Sequence, residues 1–437
     1  MRKSSVLSPI LRISTIVALT FACVLVMAPA APASENAGRL RAGTAKVDIT
    51  PQEPVRMSGY AGRKGLSQGV HDPLSARVVA FSNSDKRLVQ VSTDLIGFYD
   101  GTTEHIRKIL LEEFKLEPSE LFLSGIHTHA GPTLTIDKEK GNPSNLAYTQ
   151  DLTARLTEAI RKALSDMEPV QIGTGVGHSP VGSNRRKLEF DKLGNSQIRL
   201  GRNPYGITDK EVLVMKVAKP DGKVTAAMFD YAMHATCLGS KNYTISGDVL
   251  GLAEQFAEKI LGPDTIAPAF AGASGNINPW FRALTGFNTE SGWIPEPVLL
   301  GTMLGEEVVH VLRGIEDVSG AAEISTAFVT LELPGKQLGE LTIAKDCPAT
   351  KLNITVARIG DIGFVGIGCE VLTEIGISIK AASPYKHTFI VTHCNGEADY
   401  LAPEHLYVEA GYEIRSSPFA PQAAETVVKQ AVRMLHG

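Results

Sequence analysis

Two histidines lie two residues apart in the run Ser124-Gly125-Ile126-His127-Thr128-His129-Ala130-Gly131-Pro132, directly after the apolar stretch Leu121-Phe122-Leu123. The stretch reads as a short buried strand. Residues i and i+2 of a strand point the same way, so both imidazoles are expected to project from one strand end into one cleft. Imidazole is a common metal ligand and the usual proton carrier near pH 7. A metal centre or an acid–base centre follows from that pairing.

Four further places end a strand or open a helix on a residue that could do chemistry. Met228–His234 closes on a histidine, and Gly247-Asp248 opens a helix. Gly366-Ile367-Gly368-Cys369-Glu370 closes on a carboxylate, and Asn395–Tyr400 leads on to Pro403-Glu404 and Tyr412. Each alone has a structural explanation. A strand-end histidine can be a hydrogen-bonded core residue. Glu370 can be a charge favoured by a helix N-terminus, and Asp248 can accept helix N-terminal amides. Tyr400 and Tyr412 can be packed aromatics with satisfied hydroxyls.

The elements that must position these residues alternate between short apolar strands and amphipathic helices. Strands are expected at 77–81, 88–92, 121–123, 213–217, 226–231, 267–271, 325–331, 353–359, 362–368 and 387–392. Helices are expected at 102–114, 148–167, 251–261, 296–312, from Glu370 to Lys380, and at 423–435. The fold class is α/β, with a mixed β-sheet core flanked by helices in a single large catalytic domain over residues 40–437. A (β/α)8 barrel would need a regular eight-fold repeat, which this pattern lacks.

The first 34 residues read as a secretory signal peptide. Arg2, Lys3 and Arg12 precede an apolar run from Ile13 to Met27, and small residues follow up to Ser34. The run is short for a membrane span, and no later run is long enough, so an exported protein, periplasmic or extracellular, is expected. The formal net charge of −4 and the absence of a basic stripe argue against a nucleic-acid partner. A small molecule or a lipid is the expected partner. Cys237, Cys347, Cys369 and Cys394 remain after the leader; an exported chain can pair some of them, but no CxxC spacing suggests a cysteine zinc cluster.

Taken together, the segments resemble the neutral/alkaline non-lysosomal ceramidases. Thr44–Pro51, Gly69–Arg77, Ser124–Pro132, Asn184-Arg185, Ile245–Val249, Ala271–Pro279, Gly368–Glu370 and Tyr400 to Tyr412 occur in that family's order and form. The resemblance implies one Zn2+ held by His127, His234, Glu370 and Tyr400. Two imidazoles and a carboxylate are a common catalytic zinc set, and zinc brings the pKa of a bound water to about 7. His129 is implied beside the metal as acid/base, and Tyr412 and Arg185 beside the reacting carbonyl, where both can donate hydrogen bonds to an oxyanion. The implied reaction is hydrolysis of the amide of a ceramide-like N-acyl lipid or a related small amide.

The chain also departs from that pattern. Phe270–Pro279 runs one residue short of the family's serine-containing segment, and Ser274 falls out of register. Asn184-Arg185-Arg186-Lys187 keeps the arginine but not its usual neighbours, and a solvated charge cluster is the alternative. The family's further β-sandwich domain has no counterpart before the chain ends. Trp280 and Trp293 either line an acyl pocket or anchor a long loop. A zinc esterase or lactonase on the same fold, and a periplasmic binding protein without catalysis, are the competing functions.

Overall fold

A computed structural model describes residues 39–283, 294–339 and 347–437. The signal-peptide reading and Trp293 lie outside the described residues.

The first sheet is built from β1 (Arg41–Asp48), β2 (Ser75–Asn83), β3 (Lys86–Thr93) and β4 (Leu121–Gly125). Its order is β4-β3-β2-β1, with the short strand Glu168–Pro169 at the far edge. β1, β2 and β3 pair antiparallel. Helix α1 (Thr102–Phe114) carries the chain from β3 to β4, which therefore runs parallel to β3. Helix α2 (Pro143–Ser165) covers the outer face. It starts a turn earlier than its apolar period suggests, because Asn142 accepts the Ser144 amide at 3.0 Å and Pro143 takes the first helical position.

The chain then forms β5 (Gln171–His178), the hairpin β6 (Gly182–Phe190) and β7 (Ser196–Asn203), then β8 (Glu211–Ala218) and β9 (Val224–Asp230). The second sheet has the order Ala269–Phe270, β9, β8, β5. Helices α3 (Asp248–Leu261) and α4 (Pro295–Gly314) lie against it. A third sheet, β10 (Ile324–Leu333), β11 (Thr350–Ile359), β12 (Ile362–Ile367) and β14 (His387–Val391), runs in that order. Between β12 and β14 come β13 (Cys369–Val371) and helix α5 (Thr373–Ala382). β13 pairs parallel with β15 (Ala398–Leu401), and α6 (Tyr412–Ser416) and α7 (Ala423–His436) complete the chain.

The expected mixed α/β core is present, divided into sheets that share a centre. Val79 and Phe81 of the first sheet, Leu213 and Met228 of the second, and Phe364 and Phe389 of the third pack in one cluster. Val78 and Ala80, on the other face of β2, pack under α2 instead. Strands covered on both sides read as continuous apolar runs, which is why these were legible in the sequence. No sheet among the described residues closes into a barrel. No described helix is long and apolar enough to cross a membrane.

Candidate metal centre

Four histidine or glutamate side chains meet just beyond the carboxyl ends of strands from all three sheets. His127 follows β4, His234 follows β9, Glu370 follows β12, and His393 follows β14. Such strand ends are where α/β folds leave crevices for ligands.

The two histidines of the Ser124–Pro132 run converge as expected, but not by strand alternation. β4 ends at Gly125, and His127 has a left-handed backbone with φ 62°. That conformation is uncommon for a side chain with a Cβ and needs support. The His127 amide donates to Leu95 O at 2.9 Å, and its ring Nδ1 sits 2.8 Å from Ile96 O. The Nε2 atoms of His127 and His129 then lie 3.1 Å apart. Thr128, between them, donates its hydroxyl to Ser246 O at 2.8 Å, and the Ser246 amide donates to Ala130 O at 3.0 Å. Asp72 accepts from the Ser246 hydroxyl and, at 2.9 Å, from the Gly247 amide. Asp248 accepts from Val249 N at 2.7 Å and from Cys237 N and Leu238 N. The loop after His234 is thereby fixed to the same helix start as the loop of His127.

His234 has its Nδ1 2.8 Å from Ser274 O and 3.2 Å from Ile277 O. Its Nε2 is 3.1 Å from Glu370 Oε2, and Glu370 Oε2 is 3.4 Å from His127 Nε2. In both rings, Nδ1 faces backbone carbonyls and so must carry the proton. The neutral Nε2 atoms then present lone pairs to a carboxylate oxygen at near-contact distance. Apart from one Arg185 nitrogen 3.2 Å from His234 Nε2, three acceptors face one another here, an arrangement unfavourable alone and favourable around a cation. Backbone carbonyls that fix the tautomer are the usual outer support of metal-bound histidine. The nitrogens of His127, His129 and His234 all lie within 4.8 Å of one another. The donor set therefore fits a divalent metal ion, and imidazole with carboxylate suits zinc.

Glu370 and Tyr400 are register partners across the parallel pair β13–β15, so their side chains leave the same face together. Burial raises the Glu370 pKa, and positive charge on His127 and His234 brings it well below the ordinary carboxylate range, a role that a bound cation would take over from neutral rings. Tyr400 is buried, its pKa pushed well above 10 first by burial and then by Glu370. Burial, then Arg185, lowers the His234 pKa to about 4. Burial, reinforced by His127 and His234, puts His129 well below 6.5, so it is neutral at pH 7.

Arg185 is not part of a solvated cluster. It is buried, with Nε on Glu413 Oε1 at 2.8 Å and its two terminal nitrogens on Tyr400 Oη at 3.0 Å, His234 Nε2 at 3.2 Å and Asn278 Oδ1 at 3.3 Å. Arg186 is buried too, 2.9 Å from the other Glu413 oxygen. Only Lys187 of the three is exposed. Arg185 stands behind Tyr400 and His234 and does not line the neighbouring cavity.

That cavity, about 460 Å3, is lined by His129, Glu370, Tyr400 and Tyr412 together with Met57, Tyr60, Arg63, Tyr99 and Leu134. Tyr412 is half exposed at the start of α6, its ring edge-on to Tyr400 at 5.6 Å between centroids. Ser274 is buried with its hydroxyl unpartnered and lines no part of the cavity. Trp280 is tied by its amide to Val181 O at 2.7 Å and capped by Arg202, an anchor rather than a pocket wall. Cys237, Cys347, Cys369 and Cys394 are all free thiols.

The family model for the N-terminal region of neutral/alkaline non-lysosomal ceramidases matches residues 40–279. The chain belongs to this family. Among its relatives, neutral ceramidase B of Dictyostelium discoideum is 27% identical over 248 residues, 54% of this chain and 34% of that protein. The neutral ceramidase of Pseudomonas aeruginosa is 27% identical over 279 residues, 61% of this chain and 41% of that protein. The match spans about a third of the first of these relatives. The crystal structure of the Pseudomonas aeruginosa neutral ceramidase shares the fold, with a TM-score of 0.72 at 18% identity, covering 91% of this chain and 74% of that one.

In this ceramidase-family chain the matched region carries His127, His129, Arg185 and His234 but stops short of Glu370, Tyr400 and Tyr412. Folding brings the second group to the first. It also brings residues the sequence reading passed over. His393 stacks on the His127 ring at 3.8 Å and 11°, from a left-handed position with φ 51°. Its signal was a third strand-end histidine, in Thr392-His393-Cys394. Gly59, with φ 94°, passes so close to the His129 ring that any side chain there would overlap it. Glu413 had no signal at all, because it serves the site only through the two arginines.

Proposed function

We propose that this chain is a zinc-dependent amidohydrolase that cleaves the amide bond of a ceramide-like N-acyl lipid or a related small amide. The observation that carries the reading is the meeting of two proton-fixed imidazoles with one buried carboxylate oxygen at the edge of a cavity. Family membership gives the bond type, and the relatives' names give the lipid.

His127, His234 and Glu370 would hold the ion, with Tyr400 as a fourth ligand. When bound, the ion would supply an acidified water and polarise the substrate carbonyl. His129 is neutral, so its Nε2 can take a proton during attack and return it to the departing nitrogen. Tyr412 reaches the cavity with a hydroxyl that can donate to the carbonyl oxygen as charge develops there. Arg185 acts one step back: its guanidinium donates to the Tyr400 oxygen and holds that ring in place. The amino-terminal segment supports export, so the reaction would take place outside the cytoplasm.

The test combines metal content with turnover. The purified protein is assayed for zinc per chain and for hydrolysis of a fluorogenic N-acylsphingosine, a short N-acyl amide and an ester, beside His127→Ala. One zinc per chain and amide cleavage, both lost with His127, is the expected result. Ester cleavage without amide cleavage would replace the bond class. Absence of zinc together with indifference to His127→Ala would overturn the reading.

A further inference from the structure

The hairpin β6–β7 carries an apolar face that, among the described residues, is covered only at its base, where Gly411 meets Ile198. Register pairs place Leu188 opposite Ile198 and Phe190 opposite Ser196, and Arg186 opposite Leu200. With a strand period of two, Leu188, Phe190, Ile198 and Leu200 share one face, and Lys187, Glu189 and Arg199 share the other. A one-sided hairpin ordinarily lays its apolar face on a core. Here Phe190 is 66% exposed, Leu188 54% and Leu200 50%, and Leu193 at the turn is 87% exposed. The outer edge of β7 pairs with no strand among the described residues.

The face is continuous with the mouth of the cavity. At its base Arg186 turns into the protein to bind Glu413, Glu409 and the carbonyl of Ala410. Gly411 packs against Ile198 so closely that a Cβ there would lie 3.0 Å from it. The next residue is Tyr412, a cavity wall. The apolar strip thus runs from the cavity lip out to the Leu193 tip.

Charge selects the occupant. From Lys187 to Arg202 the hairpin carries four cations, Lys187, Lys192, Arg199 and Arg202, against Glu189 and Asp191, in a chain of net charge −4. Two copies of a cationic hairpin repel each other. Lys187 and Arg199 pair with Glu189 on the opposite face and Arg202 caps Trp280, while Lys192 stands beside Leu193 at the tip; the net positive hairpin fits an anionic interface, with the apolar side chains entering the acyl boundary and Lys192 meeting head groups.

We infer that the apolar face of the β6–β7 hairpin is the surface by which this protein docks on an anionic lipid bilayer, with the cavity mouth beside the docked face. The docking itself stands on the hairpin, while its use in delivering substrate rests on the lipid reading of the cavity.

Full-length protein is floated with vesicles of phosphatidylcholine alone and with added phosphatidylglycerol. The wild type is compared with the double variant Phe190→Ser/Leu193→Ser and with Lys192→Glu. These side chains are exposed and touch no site residue, so turnover of a water-soluble short-chain amide reports intact folding. Partition onto the anionic vesicles is expected to fall about tenfold or more in the double variant and to weaken in Lys192→Glu and at high salt, with soluble turnover unchanged. Unchanged partition in the double variant overturns the inference. So does a wild type that ignores vesicles but sediments as a dimer, with the double variant monomeric, which would assign the face to a second copy. Vesicle binding is read without catalysis, so a wrong substrate leaves it standing, and failed docking leaves the amidase reading intact.

Discussion

Glu370 makes plain what a single residue can show in sequence and what it cannot. Its type and its place after a strand of Ile, Phe and Val were visible, as were His127, His234 and Tyr400. What fixes its direction was not: the pairing of β13 with β15, which sets Glu370 beside Tyr400. The support for these residues was hidden for the same reason. Ile96 O, Ser274 O and Ile277 O fix the two imidazole tautomers as backbone atoms, which no residue type announces. Glu370→Gln keeps the shape and removes the charge that offsets a divalent ion. Zinc occupancy should fall and kcat/KM on an amide substrate should drop more than 100-fold, beyond the 10–100-fold typical of outer supports. Metal analysis and steady-state kinetics on the same preparation check this. Arg185→Met tests the brace. It leaves Glu413 with Arg186 alone and strips the donor from Tyr400, and breaking such a buried pair costs about 3–5 kcal/mol. A lowered urea midpoint together with reduced turnover per folded molecule is expected, and Arg185→Lys should rescue it poorly because one ammonium cannot span the same partners.

At the scale of elements, the strands of continuous apolar sequence and the amphipathic helices were readable, while β5, β6 and β7 were not. β5 is Gln171-Ile172-Gly173-Thr174-Gly175-Val176-Gly177-His178, with glycine at every second place. Those glycines form the face on which α4 and the chain after it lie. A Cβ on Gly173 would overlap the Asp317 carbonyl oxygen, and one on Gly177 the end of the Glu307 side chain. A face made of absent side chains has no hydrophobic period to detect. The difference in neighbour gives an order of effects. Gly173→Ala meets backbone that must move and should cost about 1–3 kcal/mol or more, as overpacking does. Gly177→Ala meets side-chain atoms and should cost less. Thermal unfolding of the two variants side by side decides it. A second element-level joint is Arg77 on β2, fully buried between Asp94, Glu254 and Glu258, the last two from α3. Arg77→Met leaves three carboxylates around one buried position. A loss of about 3–5 kcal/mol in denaturant titration is expected, and a neutral result would show that the acids take up protons instead.

For the molecule as a whole, the site and the core have the same parentage. The central apolar cluster draws on all three sheets, and the candidate ligands follow from them: His127 comes after a strand of the first, His234 after a strand of the second, and Glu370 and Tyr400 lie on the β13–β15 pair that continues from the third. An ion bound there would cross-link three layers near the place where they already meet. Its loss should therefore lower the stability of the described body as one unit, without loosening a single lobe. Linkage sets the size: an ion at 1,000 times its dissociation constant stabilises the folded state by about 4 kcal/mol. Spread over the unfolding entropy of roughly 400 residues, that is a shift in Tm of about 5 °C. Calorimetry before and after dialysis against a strong chelator should show one transition that moves down by that order and returns when zinc is added back. Glu370→Gln, already lacking its charge, should unfold near the chelated temperature and respond little to either treatment. A chelated protein that splits into two transitions would mean the layers are held together by the ion more than by the shared core. One that does not shift at all would mean the histidines and Glu370 hold no ion under the conditions of purification.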